Sequence, residues 1–131
     1  MTKKGSGGKM KQHSHNILDF QEERERLNEI VLKHASLKIK RFYALDSEAY
    51  RSGALPAKTK EMLGLVSSIV LRCDDCILYH LIRCEEEGIN DKELEEVVAI
   101  GLVVGGSITI PHIRRLYGHW EEMKVEERKR K

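Results

Sequence analysis

The sequence has too few cysteines for a disulfide-stapled scaffold, and its three are an odd set, whereas a small secreted framework needs an even one. It has almost no excess charge: a formal net charge of +2 gives no global field for nucleic acid or a membrane surface. Lysines stand near its start, but no apolar core follows them, so no export signal is read there. It has no long hydrophobic run. The longest, Val97 to Ile110, is interrupted by Gly101, Gly105 and Gly106 and is too short to span a bilayer. It also lacks strand-like alternation and short internal repeats. Together these absences point to a cytoplasmic, all-α protein that binds neither nucleic acid nor membrane.

What is present fits a globular chain. Of 131 residues, 40% are hydrophobic and 34% charged, enough for one domain with a modest core. Residues 1–14 read as a flexible leader, with a linker-like Gly5-Ser6-Gly7-Gly8 and solvated His13 and His15. Residues 15–123 form the folded domain. Residues 124–131 are a charged tail expected to fray.

Helical periodicity divides the domain into about six helices. The first runs from Ile17 to about Ala35, with Ile17, Phe20, Leu27, Ile30 and Val31 on its apolar face. Ser36 is a candidate cap for a second, and Asp46 to Ser52 reads as a separate helical turn stopping at Gly53. Pro56 suits the first turn of a third, running to about Leu71. The fourth opens at Cys73 and closes at Gly88. Asn90 and Glu93 make a capping-box start for the fifth. That helix is apolar nearly all round after Glu96, so it should be buried centrally or in a subunit interface. The last runs from about Thr109 or Pro111 to Met123.

Cys73-Asp74-Asp75-Cys76-Ile77-Leu78-Tyr79-His80 carries the most chemistry. In a cytosolic protein a Cys-x-x-Cys is catalytic, redox-active or metal-binding rather than a structural clip. On one helix Cys76, His80 and Cys84 fall at i, i+4 and i+8, with Cys73 one turn before Cys76. Cys73 and Cys84 are then roughly 16 Å apart along the axis. Zinc needs ligands at about 2.0–2.3 Å, so these side chains cannot close one site. His112 and His119 are possible outside donors but read as ordinary helix-surface or core histidines, so no metal is expected. A disulfide is easier, because residues three apart in a helical turn have Cα atoms about 5–6 Å apart. Cys76 lies in the first turn, where unpaired N–H groups favour a thiolate, and His80 one turn on can take its proton. Asp74 and Asp75 oppose this, since nearby negative charge disfavours a thiolate. Cys84 reads as a small buried apolar residue.

Glu61 shares the apolar stripe of Leu65 and Ile69, where a carboxylate is costly without a partner. It is either a boundary glutamate whose head reaches water or pairs with Lys58 or a neighbouring arginine, or a base that exchanges a proton with His80. The second role requires the third and fourth helices to turn back on each other near Arg72. In one continuous helix Glu61 and Cys73 would be about 18 Å apart.

Lys60-Glu61, then Cys73-x-x-Cys76-x-x-x-His80, then Glu87-Gly88, then Gly105-Gly106 resembles the carboxymuconolactone decarboxylase family, closest to its alkylhydroperoxidase D-like branch. The resemblance spans roughly Phe42 to Trp120. It implies an all-helical fold assembled as a trimer or hexamer. It implies that Cys76 attacks a peroxide, that Cys73 resolves the product to a disulfide, and that Glu61 and His80 relay protons. It implies no organic cofactor and a thioredoxin-like or lipoyl-carrying reductant. The best-known peroxidases of this branch carry a histidine just before the second cysteine, where this chain has Asp75. That keeps disulfide oxidoreductase chemistry beside peroxidase chemistry. The alternatives are a cofactor-free lactone decarboxylase, which has no need of a dithiol, and a non-enzymatic oligomeric binding module.

Overall fold

A computed structural model describes residues 17–130, so the proposed leader, with His13 and His15, lies outside the described residues. The described residues form six α-helices and no strand: α1 (Ile17–His34), α2 (Leu37–Ala49), α3 (Ala57–Leu71), α4 (Asp74–Glu86), α5 (Asp91–Gly105) and α6 (Ile110–Arg130), with a 3₁₀ turn at Ser107–Thr109 before α6. The expected all-α bundle is therefore present. The chain divides into two compact units between Ala44 and Leu45.

In the first unit α1 buries no residue. The Tyr43 hydroxyl donates to Asn28 Oδ1 at 3.2 Å. Contrary to expectation, Asp46 to Ala49 is not a separate turn but the end of α2. Nothing between Leu45 and Ala49 breaks a helix, so the hydrogen-bond ladder continues until Tyr50.

The second unit is built on α3. Ser52 Oγ accepts from the Ala57 N–H at 2.9 Å, supplying the first turn with a side-chain partner. Glu61, Gly64, Leu65, Ser68 and Ile69 fall at helical spacing and are all buried. At Arg72 the backbone enters the left-handed region with φ 58°, ending α3. Arg72 N–H donates to Ile69 O at 3.0 Å and Cys73 N–H to Ser68 O at 3.2 Å. The chain then turns directly into α4, which packs back against α3, as does α5; α6 packs on α4. Leu65, Ile69, Leu81, Leu94 and Leu116 are fully buried between these helices. Trimming any one to alanine should cost about 2–5 kcal/mol.

The helix ends follow local chemistry. Gly88 closes α4 with φ 90°, a conformation costly for other residues. Asn90 and Glu93 form the expected capping box, the Glu93 N–H donating to Asn90 Oδ1 at 2.8 Å and the Asn90 N–H to Glu93 Oε1 at 3.0 Å. Within this chain α5 is only half buried: Leu94, Val98 and Gly101 face inward, while Val103 is 83% and Val104 66% exposed. Its burial at the centre of the fold is thus not what the apolar sequence produces. The expected stop at Met123 is also passed, and α6 runs on to Arg130. Lys124 helps carry it past Met123, lying 3.3 Å from Asp91 Oδ1 and 5.1 Å from the Trp120 ring centre.

Candidate functional site

Reversal at Arg72 brings α3 and α4 side by side and closes the distance that a continuous helix would have kept open. Glu61 Oε1 lies 2.9 Å from His80 Nδ1, across 19 residues of sequence. The carboxylate is 2% exposed and His80 is also buried. Arg83, one turn beyond His80, puts Nε 3.4 Å from the other oxygen, Glu61 Oε2. Arg83 is itself held by Glu86 at 2.5 Å and Glu87 at 3.3 Å. Lys58 pairs instead with Glu93 at 3.0 Å. Of the two roles open to Glu61 in sequence, the structure thus supplies both an arginine and the His80 contact.

The close approach of His80 depends on Gly64. A Cβ at position 64 would stand 2.8 Å from His80 Cε1 and 2.9 Å from each ring nitrogen. The ring therefore occupies space that only glycine leaves free. Its far nitrogen, Nε2, faces the Tyr50 hydroxyl at 3.4 Å, and the two ring centres are 5.1 Å apart. If the ring is neutral with its proton on Nδ1 toward the Glu61 carboxylate, Nε2 accepts from the Tyr50 hydroxyl. Burial pushes the Tyr50 hydroxyl above the ordinary tyrosine range, with the charges of Asp46 and Glu61 adding to the effect.

Cys73 and Cys76 form a disulfide at the head of α4, with Cα atoms 5.2 Å apart. Cys73 is the cap residue: its sulfur accepts the Cys76 N–H at 3.2 Å, taking up one of the unpaired donors of the first turn. Asp74 is turned toward α6, where Oδ1 meets His112 Nδ1 at 2.7 Å and Oδ2 meets Arg115 Nε at 3.0 Å. Its charge is thereby compensated beside the cysteines. Cys84 is fully buried, and burial pushes its thiol up to about 12, as suits an inert apolar residue. His119 stands 3.5 Å from Glu122 on the same helix. Among the described residues no three His, Cys, Asp or Glu side chains converge on a point that could hold a metal.

The site residues expected from sequence thus fall into two neighbouring groups: Cys73 with Cys76 at the start of α4, and His80, a turn further along α4, with Glu61 facing it from α3. Sequence reasoning missed Tyr50, Gly64 and Arg83. Arg83 and Gly64 had a signal, each lying three residues beyond a site residue on the same helix face. Tyr50 had none, since it reaches His80 from 30 residues away. A cavity of about 440 Å³ opens beside His80 and Tyr50, walled by Leu55, Leu63 and Leu71 and by Lys60, Ser67 and Ser68. None of the helices described is long and apolar enough to cross a membrane.

Known proteins share this fold. Two crystal structures of a Thermotoga maritima protein superpose with TM-scores of 0.83 and 0.82, at 56% and 55% identity. Each match covers 85% of this chain, and 97% and 94% of the other. That protein is described as a carboxymuconolactone decarboxylase family member with a suggested part in an antioxidative response. A Legionella pneumophila protein of the same family shares the fold at 21% identity, with a TM-score of 0.73, over 81% of this chain and 95% of its own. An uncharacterized Cupriavidus necator protein is 32% identical over 65 residues, 50% of this chain, and the match spans 58% of that relative's length. The family's own sequence profile matches residues 39–117, the stretch that holds Glu61, both paired cysteines and His80. This chain therefore belongs to the carboxymuconolactone decarboxylase family.

Proposed function

We propose that the protein is a thiol-dependent oxidoreductase that reduces a peroxide through Cys73 and Cys76. The observation carrying this reading is the disulfide at the head of α4, one turn before a buried His80 held by Glu61. A helix start favours a thiolate, and a carboxylate–histidine pair is suited to taking and returning a proton. In the reduced protein the Cys76 thiol gives its proton to His80. The Cys76 sulfur forms a bond to a peroxide oxygen as the O–O bond breaks, and it becomes a sulfenic acid. The Cys73 thiolate then attacks the Cys76 sulfur. The hydroxyl leaves with a proton as water, and the disulfide closes. A thioredoxin-like or lipoyl-carrying dithiol returns the two electrons by thiol–disulfide exchange.

Support from outside the site comes from the Thermotoga relative's suggested antioxidative role. Disulfide exchange without peroxide uses the same residues and is the second reading, favoured by Asp75 at the position before Cys76. The exposed Ile100, Val103 and Val104 on α5 suit a contact with further copies in a trimer or hexamer.

The deciding experiment follows oxidation of the reduced protein by an organic hydroperoxide, with mass spectrometry of the cysteines. Cys76→Ser should abolish peroxide consumption. Cys73→Ser should stop at a sulfenic acid or a mixed disulfide. Full turnover by Cys76→Ser would overturn the proposal. Reversible dithiol exchange in a wild-type protein inert to peroxide would select the second reading.

A further inference from the structure

His80 has two ring nitrogens and each meets a different partner: Nδ1 meets Glu61 at 2.9 Å and Nε2 meets the Tyr50 hydroxyl at 3.4 Å. Tyr50 stands just beyond the end of α2 and is half-buried. It lines the same cavity as His80, whose other walls combine Leu55, Leu63 and Leu71 with Lys60, Ser67 and Ser68. A hydroxyl can donate to a neutral Nε2 and accept from a protonated one, so this contact survives either charge state of the ring. The raised Tyr50 hydroxyl keeps its proton at neutral pH. Glu61, His80 and Tyr50 thus form a line of proton-exchanging groups that runs from the buried α3–α4 contact to the wall of an open cavity.

We propose that Tyr50 is the exit of this line, handing the proton of His80 to the oxygen that leaves when Cys76 cleaves a peroxide. The inference rests on the peroxidase reading above. As the Cys76 sulfur bonds to one peroxide oxygen, the sulfur loses two electrons and the O–O bond takes them. The departing alkoxide takes the Tyr50 hydroxyl proton. The phenolate recovers a proton from His80 Nε2–H, which holds the one released by the Cys76 thiol. The sum is thiol plus hydroperoxide giving sulfenic acid plus alcohol, with no proton gained or lost.

Such a donor matters only when the leaving oxygen is strongly basic. The test therefore compares two oxidants on fully reduced protein by stopped flow. tert-Butyl hydroperoxide releases a basic alkoxide, and peracetic acid releases a weakly basic carboxylate. Tyr50→Phe is expected to slow the first by about tenfold or more and the second by less than about twofold. Equal slowing with both oxidants would show a merely structural tyrosine and overturn the proposal, as would no slowing with either. Should the Phe variant lose its helical circular dichroism, Tyr50→Leu is expected to give the same split, and its absence there overturns the proposal equally. A wild-type protein inert to both oxidants overturns the peroxidase reading and this inference together. An active wild type with an unaffected Tyr50 variant overturns this inference alone.

Discussion

Glu61 Oε1 and His80 Nδ1 meet at 2.9 Å inside the α3–α4 contact, and the glutamate reaches no open solvent. A carboxylate so buried is tolerable because His80 and Arg83 share it. Glu61→Ala removes the carboxylate that His80 Nδ1 faces and strands that polar edge in the core. The expected loss is about 2–3 kcal/mol in urea unfolding. Glu61→Gln should cost less stability while lowering thiol turnover by about tenfold or more. A Gln variant with wild-type turnover would remove Glu61 from the relay.

Gly64 makes the second prediction. A methyl group there meets the His80 ring at 2.8–2.9 Å. The ring must shift, and with it the contacts to Glu61 and Tyr50. Gly64→Ala is expected to fold, at a cost of about 1–3 kcal/mol, and to lose most activity. Displacement of the His80 ring resonances in an NMR spectrum is the direct check, and unchanged resonances with full activity would refute it.

Cys84 supplies a pH prediction. Its thiol is raised from 9.0 to about 12 by burial, so the folded protein keeps it neutral where the unfolded chain ionises it. The stabilisation from this residue is complete below pH 9 and is lost as pH rises from there toward about 12. Cys84→Ala should flatten the alkaline decline in stability measured by urea unfolding. Under native conditions near pH 8, iodoacetamide should label Cys73 and Cys76 of the reduced protein and spare Cys84; rapid labelling of Cys84 would contradict its burial.

Asp74 and Arg115 give a fourth. Their ion pair is about half exposed on both sides, so Arg115→Met should change stability by less than about 1 kcal/mol. It leaves less positive charge around Asp74, beside Cys73. Alkylation of the reduced dithiol should therefore slow, and Asp74→Asn should restore it. Equal rates in all three proteins would show that this pair does not reach the cysteines electrostatically.

Much of the fold is legible in the order of residues. Apolar spacing locates all six helices, and the Asn90–Glu93 box and Gly88 mark their ends through purely local hydrogen bonds. The Cys73–Cys76 pairing follows from two residues one helical turn apart. Where local patterns mislead, the deciding force is distant. α6 outruns its expected stop at Met123 with Lys124 lying on Trp120 and Asp91, the latter 33 residues earlier. The apolar α5 leaves Val103 and Val104 in the open because this chain has packing partners for only one of its faces.

The helical class, the family and the cysteine–histidine motif are written in the sequence, because they depend on spacings of three and four residues along one helix. Which partners Glu61 meets is decided by packing in three dimensions. Arg72 enters the left-handed region, α4 turns back along α3, and a carboxylate and an imidazole far apart on a straight helix come within hydrogen-bond reach. Tyr50 joins them for the same reason: a contact spanning 30 residues is set by how helices pack, and no local pattern encodes it.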